Sequence, residues 1–158
     1  MDGELRRRRL ETLEVHFQSE VDHDWDACVG TFAGHPRYEI VPTGQVHDGE
    51  EAVRSYHRNQ RIAFPDQHHE NVRFHVSDDD TVIAEFDLIG TNLGEFVGLP
   101  PTGKAFRVPT VAVFFFDDGD GITNERVYLD VLSMLSQIGR TELVALTDNP
   151  GDASSEGC

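Results

Sequence analysis

Apolar residues recur along this chain with two different periods. Leu10, Leu13, Phe17 and Val21 fall at i, i+3, i+7 and i+11, the stripe of an amphipathic helix. Trp25, Cys28, Val29 and Phe32 form a second helical stripe, with Asp22 or Asp24 placed to cap it and Gly34-His35-Pro36 to end it. Tyr38 to Val41 alternates as a short strand closed by Pro42. Asp48 and Glu51 have capping-box spacing and open a third predicted helix, which runs to about Ala63 and carries Val53, Tyr56 and Gln60 inward.

From there the period drops to two. Val72, Phe74 and Val76 alternate with polar neighbours, and an Asp78-Asp79-Asp80 turn leads to Val82, Ala84, Phe86 and Leu88. After a loop rich in glycine and proline, Phe106 to Phe116 reads as a long strand. The turn Asp117-Asp118-Gly119-Asp120-Gly121 joins it to a last strand, from Ile122 to Asp130. Helices first and consecutive antiparallel strands afterwards predict a single α+β domain over 1–146. The segment 147–158, TDNPGDASSEGC, has no packing pattern and is expected to be a disordered acidic tail.

Charge narrows the partners. The chain has 158 residues, with 29 Asp plus Glu against 13 Lys plus Arg and a net charge of −16. Such a surface repels phosphates and anionic headgroups, which argues against nucleic acid and membrane partners. Arg6 to Arg9 is then read as a solvated helix end rather than a nucleic-acid arm. No apolar run approaches the ~20 residues that span a bilayer, and the N-terminus lacks a signal-type apolar stretch. The expectation is a cytoplasmic protein whose acidity suits a salt-rich medium. Val111 to Phe116 is apolar on both faces, so one face needs cover, and a homodimer is expected.

Several tempting motifs fail on their chemistry. Gly98 to Lys104 matches the start of a phosphate-binding loop, but Ala105 replaces the magnesium-binding hydroxyl and two prolines remove amide donors. The 117–121 turn is too short for a calcium loop. Adjacent His68 and His69 point to opposite faces of a strand, and no paired ligand spacing supports a metal. Among eight histidines, His57 on the third helix is the one with a candidate role.

On the last strand, Asn124, Arg126, Tyr128 and Asp130 share one face, and Thr123, Glu125, Val127 and Leu129 share the other. The runs GTNLGEFVGLPPTGKAFRVP and ERVYLDVLSMLSQIG, with DHDWDACVGTF and HDGEEAVRSYHRNQRIAFPD upstream, resemble the SnoaL-like ester cyclase and polyketide cyclase family. The resemblance implies a cone-shaped nuclear-transport-factor-2-like fold, N-terminal helices packed on a curved antiparallel sheet around a pocket. It also implies acid/base chemistry on a small hydrophobic carbonyl compound, with no metal and no cofactor.

By that resemblance Asp130 is the general acid/base, with Arg126 beside it. Its pKa would be lifted by burial. Tyr56, Phe86, Phe96, Leu99 and Tyr128 are the expected pocket wall, with His57 and Asn124 as further substrate contacts. Glu125-Arg126 stands where cyclase-like members often carry His-Trp, a departure in the site itself. Two alternatives stay open. One is a non-catalytic binding or dimerising module; the other is an epoxide-hydrolase-like enzyme using Arg126, Asp130 and either Asp87 or Glu85.

Overall fold

The computed structural model describes residues 2–147. The predicted acidic tail, Thr147 apart, lies outside them. Three helices come first: α1 (Gly3–Asp22), α2 (Trp25–Gly30) and, after a short β1 (Arg37–Ile40) and β2 (Gln45–Asp48), α3 (Glu50–Ala63). Then come β3 (His68–Val76), β4 (Thr81–Thr91), β5 (Ala105–Phe116) and β6 (Ile122–Leu129), followed by α4 (Val131–Ile138) and a short 3-10 helix, Thr141–Thr147.

The strands form one six-stranded sheet in the order β2-β1-β6-β5-β4-β3. Every pair is antiparallel except β1 with β6, which run parallel, so the sheet is mixed. Strand β2 was not legible in the sequence: it is a four-residue edge strand with little apolar content.

The alternation of β4 and β5 decides where the core sits. Val82, Ala84, Phe86 and Leu88 point inward with Phe106, Val108, Thr110, Ala112 and Phe114, and the helices cover that face. Val111, Val113 and Phe115 point outward and are half-buried.

Local chemistry departs from the sequence pattern in two places. Asp48 does not cap α3; Gly49, at φ 92°, is the cap residue and no side chain bonds there. Asp48 is instead the end of β2 and pairs with His35 at 3.0 Å. Arg9, expected as solvated, is fully buried. Its guanidinium donates to the Gly119 carbonyl at 2.9 Å, meets Asp80 at 2.8 Å and lies over the Phe116 ring. It fastens α1 to both hairpin turns.

Candidate active site

Between the inner sheet face and the helices lies a cavity of about 170 Å³. Much of its wall is apolar: Phe17 from α1, Phe86 and Leu88 from β4, Val127 and Leu129 from β6, Met134 and Leu135 from α4, with Thr43, Gln45, Gln60, Gln67 and Thr110 as neutral polar lining. Phe96 reaches it from the loop after β4, where buried Asn92 holds the chain: its amide accepts from the Thr102 N–H at 2.9 Å and donates to the Gly94 carbonyl at 2.9 Å.

One end of the cavity is different. Glu20, His69, Glu125, Tyr38 and Tyr56 all line it, and Glu20 and Glu125 are buried carboxyls. Burying a carboxylate is costly unless partners hold it, and Glu20 has them on every side. His69 Nε2 is 3.2 Å from it, His16 Nε2 3.5 Å, His57 Nδ1 3.6 Å and the Arg61 guanidinium 3.7 Å. Burial opposes its charge, but His57, His16 and His69 together hold its carboxyl well below the usual range. Glu20 is an anion.

Glu125 is the opposite case. Burial outweighs the attraction of His16, and the charge of Glu20 adds to it, so its pKa is pushed up to about 7. Among the described residues its one hydrogen-bond partner is His16 Nε2, at 3.1 Å. The other ring nitrogen of His16 meets Thr31 Oγ1 at 2.8 Å, and that hydroxyl donates its own proton to the Cys28 carbonyl at 2.6 Å. Thr31 therefore has only lone pairs left for His16, so Nδ1 carries a proton and Nε2 is the atom that trades one with Glu125. Burial works against charge on His16, but the Cys28 sulfur and Glu125 outweigh it and its pKa stands well above 6.5. His57, by contrast, is driven down to about 4 by burial despite Glu20, and stays neutral.

Burial also pushes the Tyr38 and Tyr56 phenols up, so both keep their protons and can donate them. Donor atoms of His16, Glu20 and Cys28 lie within 4.8 Å of one another, close enough to consider a metal ion. Both nitrogens of His16 are already committed to Thr31 and Glu125, which leaves that set without a free imidazole lone pair.

Of the residues expected from the sequence, Tyr56, Phe86 and Phe96 line the cavity. His57 is buried behind its polar end, and Leu99 pairs with Phe96 in the loop backbone without lining the cavity. Of the other four, Asn124, Arg126 and Tyr128 lie on the outer face of β6 and Asp130 just beyond its end. Arg126 pairs with Glu39 at 2.9 Å, Asn124 donates to Glu39 at 3.2 Å, and Tyr128 is exposed with Arg126 over its ring.

Asp130 is exposed and caps α4. Its carboxylate accepts from the Ser133 N–H at 2.9 Å and the Ser133 hydroxyl at 2.6 Å. Those two bonds lower its pKa, the reverse of the expected rise. The correction has a plain cause. A strand turns its apolar side to the core, and on β6 that side is Glu125, Val127 and Leu129.

Glu125, Glu20, His16 and His69 were missed. A signal was present: Leu13, His16, Phe17 and Glu20 share one helical stripe, so two ionisable residues interrupt a face that must be buried. Glu125 interrupts the apolar face of β6 in the same way.

The comparisons with known proteins agree with this fold. Residues 13–138 match the family model described as SnoaL-like polyketide cyclase. A candidate polyketide cyclase from Xanthomonas campestris pv. campestris superposes with a TM-score of 0.76 at 21% identity, over 84% of this chain and 98% of that one. A candidate SnoaL-like polyketide cyclase from Jannaschia sp. CCS1 gives 0.72 at 23% identity, over 87% and 96%. A protein with a ketosteroid isomerase-like fold from Catenulispora acidiphila gives 0.70 at 19%, over 82% and 92%. At these identities the structures establish the fold. No curated protein sequence matches the chain.

Proposed function

Since the chain belongs to the SnoaL-like polyketide cyclase family, we propose that it is a cofactor-free acid/base catalyst for a small hydrophobic carbonyl compound, with Glu125 as the proton-transferring group. The observation that carries this is the pair of buried carboxyls at the polar end of the cavity. Glu20 is held as an anion and Glu125 is lifted to about 7, two carboxyls whose surroundings push them apart. That separation assigns roles: the group near neutrality accepts and returns a proton, and the fixed charge helps to set its pKa.

In this reading ionised Glu125 takes a proton from the carbon beside the carbonyl. A Tyr38 or Tyr56 hydroxyl donates a hydrogen bond to the oxygen as negative charge develops there. Protonated Glu125 then returns the proton to carbon or to a new alkoxide, while His16 holds the carboxyl in place through Nε2. Asp130 takes no part, because its carboxylate lies outside the cavity and is bound to Ser133.

The assay is exchange of the protons beside the carbonyl of acetophenone in D2O, followed by NMR. Glu125→Gln keeps the shape and removes the base, so exchange should fall by roughly 10²–10⁴-fold. Full exchange in that variant would overturn the assignment. The same reading includes a homodimer paired through the outer sheet face, where Val111, Val113 and Phe115 lie, and a cytoplasmic, salt-adapted setting.

A further inference from the structure

The volume and lining of the cavity limit what it accepts. About 170 Å³ is close to the roughly 150 Å³ of an apolar cavity that holds benzene. It falls below the roughly 300–1,000 Å³ of sites for drug-sized ligands. The wall does not give easily. Phe17 makes edge or tilted contacts with Phe86 at 5.2 Å, Phe74 at 5.7 Å and Phe114 at 5.9 Å, and Phe86 meets the His69 ring at 5.0 Å. Widening the site on this side means breaking an interlocked aromatic cluster, and such cores are packed at the density of organic crystals.

Charge narrows the ligand further. The ionisable side chains that line the cavity besides the two tyrosines are Glu20, His69 and Glu125, with no lysine or arginine among them. An anion would face two carboxyl groups. A cation finds no vacant counter-ion either, because Arg61, His16 and the rings of His57 and His69 already surround the Glu20 carboxylate at 3.2–3.7 Å, and Glu125 is taken by His16 Nε2 at 3.1 Å. What is left is an apolar body with a hydrogen-bond acceptor directed at the tyrosines and Glu125.

We propose that the cavity takes an uncharged, single-ring carbonyl compound and excludes fused polycyclic ones. This rests on the acid/base reading for the carbonyl, and on the cavity alone for size and charge.

The test is a ligand ladder on the wild-type protein by calorimetry: acetophenone, acetylnaphthalene and acetylpyrene for size, benzoate and benzylamine for charge. Acetophenone should bind, with transferred NOEs from the Phe86 and Phe96 rings placing it in the cavity. Acetylpyrene, benzoate and benzylamine should each bind at least ~10-fold more weakly, a difference of about 1.4 kcal/mol. Acetylpyrene or either ion binding as tightly as acetophenone would overturn the proposal, and so would failure of acetophenone to bind.

Phe86→Ala removes part of the wall and should improve acetylnaphthalene binding at least ~10-fold; no gain in a folded variant would count against the proposal. If that variant does not fold, the wild-type ladder decides alone. Acetophenone bound but not exchanged would defeat the catalytic reading and leave this one standing. Acetylpyrene bound and exchanged would do the reverse.

Discussion

Replacing Glu125 by glutamine should make the protein more stable, and only at higher pH. In the folded chain this carboxyl titrates at about 7, against an ordinary value of 4.5. At about 1.4 kcal/mol per unit, ionised Glu125 opposes folding by about 3 kcal/mol. Because the folded value is the raised one, the penalty is absent below the unfolded pKa. It grows as pH climbs from 4.5 and is complete once pH has passed about 7. Glutamine fills the same space, can still accept from His16 Nε2 and never ionises. Denaturation by guanidinium at about pH 8 and about pH 4 should therefore show a gain of about 3 kcal/mol at the first and close to none at the second. A variant less stable than wild type at the alkaline pH, or one whose gain does not change with pH, would refute the reasoning.

Glu20→Gln should act in the other direction. Its depressed pKa contributes stability that is present above the ordinary carboxylate range and is lost as pH falls through the folded value. Removing the charge leaves Arg61 and His16 buried without it, a loss of about 3–5 kcal/mol at neutral pH, and an unchanged denaturation midpoint would contradict this. Asp130→Ala should lower the melting temperature through the lost α4 cap and leave acetophenone exchange unchanged, whereas a collapse in rate would return Asp130 to the chemistry. Added potassium chloride should raise the melting temperature by screening the net charge of −16, and a flat or falling profile would remove the salt-adaptation reading. Light scattering at micromolar concentration should give a dimer, and a monomer in high salt would leave the outer sheet face without a second copy.

Much of the fold was legible because burial obeys periodicity. Leu13 and the half-buried Leu10 and Phe17 face the core from α1, though Val21 at the end of that stripe is exposed, and the alternation from Val82 to Leu88 is the inner face of β4. Two stretches within the runs that carry the family resemblance, the loop from Gly98 to Lys104 and the helix motif from Asp130 to Gly139, are structural. Thr102 and Gly103 donate backbone bonds to Asn92 and shape the loop beside the cavity. In the helix motif Asp130 caps the start and Gly139, at φ 73°, ends it. Gln137 clamps α4 to β5 through both the N–H and the carbonyl of Arg107.

The site was harder to read because its residues come from five elements, and their meeting is set by packing rather than spacing. His16 and Glu20 lie on α1, Tyr38 on β1, Tyr56 and His57 on α3, His69 on β3 and Glu125 on β6. The polar face of β6 drew attention away from the single glutamate on its apolar face. A charged side chain on a face that must be buried was the better signal.

The most direct test of the account is the pH dependence of acetophenone exchange in D2O by the wild-type protein and by Glu125→Gln. The rate should rise with pH and level off above an inflection at about 7, where Glu125 becomes a base, and the variant should show neither the rate nor the inflection. An inflection at the ordinary carboxylate value of 4.5, or the same profile in both proteins, would contradict it.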